Sequence, residues 1–189
     1  MRARPMTLVW PSSEYLPSYI AALKRGWSAD NVRGKAAADE ELAQIAKDSN
    51  AFLRSIVDRE AKGEVTLPDG SKAKRIPGYR RWLWDGEFCG SIGFRWQTGT
   101  EELPPHVLGH IGFAVVPWKQ KLGYATQALR ELLPEAAAEG LRFVEITTDP
   151  DNIASQRVIE ANAGKLFERF TKPPQYGGKL GLRYRIELR

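Results

Sequence analysis

Apolar residues along the chain come in short runs parted by polar stretches, and their period changes from run to run. Thr7–Trp10 is a brief apolar run closed by Pro11 and reads as a first strand. Ser12 or Ser13 then stands where a helix cap belongs, ahead of a helix through about Arg25 with Glu14 in its first turn. A longer helical pattern covers about Ala38–Lys62. Its positions Leu42, Ile45, Ala46, Ser49, Leu53, Ile56 and Val57 trace one face, and the acidic residues 39–41 suit its N-terminal dipole. Gly63 closes it, and the polar, turn-rich residues 64–78 read as a loop or short hairpin.

The second half alternates more regularly. Asp85-Gly86 between two alternating apolar segments, 80–84 and 87–96, marks a tight hairpin. A polar loop over 97–105 precedes strand 107–116, helix 120–139, strand 142–148, helix 153–163 and strand 165–170. The glycine-rich stretch 171–181 leads into a closing strand, Leu182–Leu188. The central strand–helix–strand unit implies a right-handed crossover and a locally parallel pair. Hairpins flank it, so the expectation is an α/β (α+β) fold: a mixed, mostly antiparallel sheet of about six or seven strands, flanked by helices. A doubly wound nucleotide fold does not fit this order.

Length and charge narrow the picture. A chain of 189 residues with 42% hydrophobic and 27% charged residues suits one domain, 1–189, with a sizeable core. A net charge of +5 suits a phosphate-bearing ligand, and suits equally well no polyanionic partner at all. Cys89 is the single cysteine, which excludes an internal disulfide, and with only His106 and His110 as histidines no metal site is expected. The N-terminus lacks the apolar core of a signal peptide, and no apolar run approaches the roughly 20 residues of a membrane helix. A cytoplasmic protein without a membrane partner is the expectation. Six tryptophans are present, but no nucleic-acid module accompanies them, so nucleic acid is not an expected partner.

Candidate chemistry concentrates where strand 107–116 meets the next helix. Gly123 sits in the first turn of good helix material, where glycine costs roughly 1 kcal/mol relative to alanine. The first amides of a helix lack internal partners and lie at its positive end, and a glycine there clears the way for a phosphate. Lys119 and Lys121 add charge nearby. The spacing matches neither the phosphate loop of nucleotide hydrolases nor the dinucleotide fingerprint.

Gln120-Lys121-Leu122-Gly123-Tyr124-Ala125 instead resembles the acetyl-CoA pyrophosphate loop of the GNAT superfamily of N-acetyltransferases, [Q/R]-x-x-G-x-[G/A]. Residues 151–164, DNIASQRVIEANAG, resemble that superfamily's second motif, with Asn152, Ser155 and Gly164 in the matching places. The likeness spans residues 80–189. It implies an acetyl-CoA-binding core there, and an acceptor side formed by the N-terminal strand and helices, 1–79.

The resemblance implies roles residue by residue. Gln120 to Ala125 would hold the pyrophosphate. Backbone groups of Ala114, Val115 and Val116 would pair with the pantetheine arm, with the Val115 amide facing the thioester oxygen. Asn152 would touch the same arm, although its place also suits a helix cap, and Ser155 accompanies it. His110 stands where many relatives carry a glutamate base, and its ordinary pKa of about 6.5 suits that work. A hydrogen-bonded structural histidine is the competing reading. Glu145, midway along its strand, is the rival base, unless it faces solvent or pairs with an arginine.

One departure is plain. Ile159 occupies the position of the tyrosine that serves as general acid in much of the superfamily. Tyr176, Tyr184 and Tyr124 stay open as substitutes, Tyr176 being the candidate carried forward. A thiol of pKa about 8.5 also leaves tolerably without an acid. The expected function is transfer of an acetyl group from acetyl-CoA to a primary amine of a small molecule or peptide, by direct attack. The alternative is a non-catalytic CoA-binding sensor or interaction module. The superfamily commonly forms homodimers.

Overall fold

The Asp85-Gly86 turn organises the larger sheet. In the computed structural model, which describes residues 5–67 and 69–188, β5 (Gly78–Trp84) and β6 (Phe88–Arg95) pair antiparallel across that turn. β1 (Thr7–Val9) and the short β2 (Val57–Asp58) add to β5, and β7 (Ile111–Val115) adds to β6, giving the order β1-β5-β6-β7. Alternation along these strands separates two cores. Leu83, Ile92, Phe94 and Ile111 pack against Ala128, Leu129, Leu132 and Ala136 of α4 (Tyr124–Ala138). On the other face Trp82, Phe88 and Val116 meet Tyr19, Trp27 and Phe52 from the N-terminal helices, with Tyr19 stacked on Trp82 at 4.5 Å between ring centroids.

The N-terminal helices differ from the sequence expectation in two places. α1 (Leu16–Lys24) starts later than a cap at Ser12 or Ser13 implies; no side chain caps it, and the Ser12 carbonyl accepts the Tyr15 and Leu16 amides instead. Pro17 explains the start, because proline's fixed φ and missing donor suit a first turn. The long helix over 38–62 is two helices, α2 (Lys35–Lys47) and α3 (Ser49–Ser55), and Val57 belongs to β2. Asp48 breaks it: its backbone is extended, and its carboxylate accepts the Ala51 amide at 2.9 Å as a cap. The apolar face continues across the break, which is why its period alone conceals it. Residues 64–78 do hold a hairpin, β3 (Glu64–Thr66) with β4 (Lys72–Lys74).

β8 (Phe143–Thr148), β9 (Lys165–Thr171) and β10 (Leu180–Glu187) form a separate sheet in the order β8-β10-β9, with α5 (Ile153–Glu160) between β8 and β9. The expected parallel pair is therefore not a continuous ladder. β7 and β8 join only at their base, where the His110 amide donates to the Glu145 carbonyl at 2.7 Å, and then part into two sheets. Mixed α/β architecture with antiparallel sheets flanked by helices is what results. No helix among the described residues is long and apolar enough to cross a membrane.

Candidate active site

The cleft between β7 and β8 starts at a tight apex. A Cβ on Gly109 would lie 2.9 Å from the Glu145 carbonyl oxygen, so only glycine lets the strands approach this closely. Beside it, the Glu145 amide donates to Nδ1 of His110 at 2.9 Å. His110 is fully buried, and its Nε2 has no partner among the described residues. Because Nδ1 accepts, the neutral ring carries its proton on Nε2. Burial pulls the imidazole down to about 4; the Glu145 charge opposes this and Arg95 reinforces it. At neutral pH the ring is thus uncharged, with its one basic lone pair engaged by the backbone. The geometry makes His110 a clamp between the sheets, which counts against it as the base.

Glu145 is also turned away from that work. Its carboxylate pairs with Arg185 at 2.8 Å and Arg183 at 3.6 Å on β10. It lines a different depression, alongside Arg142, Arg183 and Arg185. The side chain opposite Glu145 in the β8–β10 register is Arg185, so alternation alone directs the carboxylate to that face.

Above the apex, the hydrogen-bond parity of β7 decides which backbone groups face the cleft. Arg95 donates to the His110 carbonyl and Val116 donates to the Cys89 carbonyl, each at 2.9 Å. Between these bonds Gly112 pairs with Gly93, and Ala114 with Ser91. Even-numbered residues therefore commit their backbone groups to β6, and those of Phe113 and Val115 point to the open edge. This corrects two of the three expected backbone contacts. Ala114 and Val116 have no free amide; Ala114 borders the cleft with its side chain, and Val116 is buried in the second core. Phe113, with Val115, has its backbone groups on the open edge. The two-residue period contained that answer, but the phase needed the register with β6.

Past the end of β7 the chain makes the turn that opens α4. Helix 120–139 begins only at Tyr124, because Lys121 and Gly123 adopt left-handed φ values of 63° and 80°. The first intrahelical bond runs from the Gln127 amide to the Gly123 carbonyl, which leaves the amides of Gly123, Tyr124, Ala125 and Thr126 without helical partners. Nothing lies within 4 Å of a Cβ built on Gly123, so this helix end is open. Lys121 and Leu122 are exposed beside it, and the Gln120 side-chain amide reaches to 3.5 Å from the Val115 carbonyl. The Tyr124 ring is turned inward, where its hydroxyl donates to Asp85 at 2.8 Å. Lys119 binds the same carboxylate at 2.8 Å, tying the β5–β6 turn to the start of α4.

On the β8 side, Asn152 caps α5 by accepting the Ser155 amide at 3.1 Å, and both residues border the cleft. Ile159 is buried in the first core, and a Cβ on Gly164 would sit 2.3 Å from its Cγ2. The glycine closing the second motif is thus a packing requirement. Tyr176, in a short 3-10 turn, borders the cleft, and its hydroxyl donates to the His106 carbonyl at 2.6 Å. Burial raises its pKa, so the phenol keeps its proton. Tyr184 lies in the first core with its hydroxyl near Gln156 and Glu160.

The cleft widens into a cavity of about 550 Å³ beneath the N-terminal segments. Its floor is the face of β6 and β7 where small residues coincide: Ser91, Gly93, Gly112 and Ala114. A Cβ on Gly93 would find no atom closer than 3.7 Å, so the glycine leaves volume rather than relieving a clash. Arg95 ends that row, and sequence reasoning passed over it along with the floor. Small residues at alternate positions of adjacent strands are the signal that was available. The cavity brings together Ala114, Asn152, Ser155 and Tyr176 among the expected residues; His110, Glu145 and the 120–125 turn lie outside its walls.

Comparison with known proteins shows the family and the fold. A family model described as an acetyltransferase (GNAT) domain covers residues 29–164, well over half of the chain. The chain belongs to the GNAT acetyltransferase family. No curated protein sequence matches it significantly. Solved structures share the GNAT fold at low identity. The microcin C7 self-immunity acetyltransferase MccE, crystallised with acetyl-CoA and AMP, is 13% identical with a TM-score of 0.61, over 97% of this chain and 92% of that one. RimL, a ribosomal L7/L12 alpha-N-protein acetyltransferase in complex with coenzyme A, is 16% identical with a TM-score of 0.61, over 97% and 94%. The protein yncA from Salmonella typhimurium, solved with its cofactor acetyl-CoA, is 14% identical with a TM-score of 0.54, over 97% and 94%.

Proposed function

We propose that this GNAT protein transfers an acetyl group from acetyl-CoA to a primary amine by direct attack. One observation carries the reading: the free edge of β7 leads, through a 3-10 turn at Pro117–Lys119, to the open, uncapped start of α4. The residues present fit the donor. Amides of Gly123 to Thr126 would hold the pyrophosphate at the positive helix end, with Lys121 and Gln120 beside it. Phe113 and Val115 would pair with the pantetheine arm as an added strand does, flanked by Asn152 and Ser155. Acetyl-CoA, when bound, supplies an activated acyl carbon as a thioester.

The protein's own groups then position the attack. The Val115 amide points to the open edge of β7, where a carbonyl oxygen gains from a fixed donor. The amine nitrogen takes the acyl carbon from sulfur and releases its surplus proton to water in the cleft. An acyl-cysteine route does not fit, because Cys89 is fully buried and burial pushes its thiol up to about 12. Tyr176 borders the cleft, and its hydroxyl would leave the His106 carbonyl to protonate the departing CoA thiolate. The N-terminal segments would form the acceptor side, since Ala29, Val32, Ile56 and Leu67 line the cavity.

A non-catalytic CoA-binding module is the second reading, favoured by the engagement of both His110 and Glu145 in structural bonds. Thiol release from acetyl-CoA across a panel of primary amines tests the two. Amine-dependent release supports transfer. Tight acetyl-CoA binding without release from any amine supports the sensor.

A further inference from the structure

The cavity wall carries five basic side chains, Lys74, Arg75, Arg80, Arg95 and Lys172, against one carboxylate, Asp149. Most are neutralised nearby. Arg75 pairs with Asp58 at 3.4 Å, Arg80 with Glu41 at 3.1 Å, and Lys172 with Asp149 itself. Lys74 sits exposed on the β3–β4 hairpin. Arg95 differs from all of these. It has no carboxylate partner among the described residues, yet it is fixed in place.

Its Nε donates to the Gly109 carbonyl at 2.7 Å, which anchors the guanidinium at the apex of the cleft. A Cβ on Gly112 would lie 3.7 Å from Nη2, so the group lies over the glycine floor. The side chain lines the cavity and is exposed to solvent. Arg95 thus keeps its two terminal nitrogens, a planar fork suited to carboxylate or phosphate oxygens, at the cavity wall. Solvated and without a carboxylate partner among the described residues, the guanidinium is available to an anionic ligand.

We propose that Arg95 is the anion anchor of the acceptor site, so that the acceptor is an amine bearing a carboxylate or phosphate group. The assignment rests on the acetyl-transfer reading above and names the substrate class for that site. Geometry also sets a length. Gly112, under the guanidinium, and Val115, where the acyl group would be held, are three residues apart, on the order of 10 Å along a strand. The acceptor's nitrogen and anion are therefore separated by a chain of several atoms, more than the single carbon of an α-amino acid.

Matched acceptors test this. Thiol release from acetyl-CoA is measured with ω-amino carboxylates of increasing length, ω-aminoalkyl phosphates, and uncharged n-alkylamines of the same lengths. The wild-type protein should prefer an anionic series by roughly tenfold or more in kcat/KM, with an optimum at intermediate chain length. Whichever anionic series leads identifies carboxylate or phosphate. Arg95→Gln should collapse the anionic-to-neutral ratio towards one, chiefly through KM, and Arg95→Lys should keep part of it. A merely structural role would lower both series together and leave the ratio intact. Calorimetric binding of the same ω-amino acids, without acetyl-CoA, reads the anchor independently of turnover. Binding that Arg95→Gln abolishes supports the anchor even where no thiol is released, a result that would count only against the transfer reading. Equal rates on neutral and anionic amines, or a ratio or affinity unaffected by Arg95→Gln, would overturn the proposal.

Discussion

The two halves of the cleft are built from different materials. On the proposed donor side the available groups are backbone: the free edge of β7 and the unpaired amides that open α4. On the proposed acceptor side, side chains or their absence define the space: a floor of Ser91, Gly93, Gly112 and Ala114, with Arg95 at its end. Backbone sites depend on conformation, so they tolerate most substitutions that keep φ and leave the approach clear. Side-chain sites depend on identity, so single changes retune them. Donor recognition should accordingly be hard to alter except at Gly123, whereas acceptor choice should shift readily.

The largest expected effect breaks the donor half. Gly123→Asp keeps a residue type that tolerates left-handed φ, but it sets a carboxylate beside the helix amides. Acetyl-CoA affinity should fall about 100-fold or more, read by calorimetry, while the circular dichroism spectrum is retained. Next comes the hinge shared by both halves. His110→Ala removes the clamp at the apex and should cost about 2–4 kcal/mol of stability, measured by urea unfolding.

The same histidine carries a pH signature. Its folded pKa lies at about 4, below its ordinary 6.5. Between these values the unfolded chain binds the extra proton, so stability is full above pH 6.5 and falls as pH drops towards 4, by roughly 3 kcal/mol. His110→Asn keeps an acceptor for the Glu145 amide and should flatten that slope in acid-unfolding curves. An unchanged slope would show that another group titrates there.

Smaller effects separate the halves. Gly93→Val extends a side chain into the proposed acceptor cavity. It should raise KM for the amine about tenfold and change acetyl-CoA affinity little. If both constants move together, the two halves are not independent. Glu145→Gln should alter kcat by less than about twofold and leave its pH profile unchanged, because the carboxylate serves Arg183 and Arg185. A collapse of kcat would return Glu145 to the chemistry.

How much of this was readable beforehand follows the same division. Gln120–Ala125 announced an open helix start, because a glycine in good helix material demands a reason. The Asp85-Gly86 hairpin and the element order in the second half followed from period and turn chemistry. The split between β7 and β8 was not readable, since periodicity cannot tell a ladder from two strands that meet only at Gly109 and His110. Nor could strand period set its own phase, so Ala114 and Val116 were grouped with Val115 until the register with β6 separated them. The break at Asp48 was hidden by an apolar face that continues across it. Arg95 gave no local signal, because its significance comes from partners it lacks in three dimensions.

The donor half can be tested at the level of single amides. In a 15N-labelled sample titrated with acetyl-CoA, the amide resonances of Phe113, Val115, Gly123, Tyr124 and Ala125 should move most, while those of Ala114 and Val116, bonded to β6, move little. Saturable shifts confined to other surfaces, such as the β3–β4 hairpin, with the Val115 and Gly123 resonances unmoved, would contradict a donor site built on the edge of β7 and the start of α4.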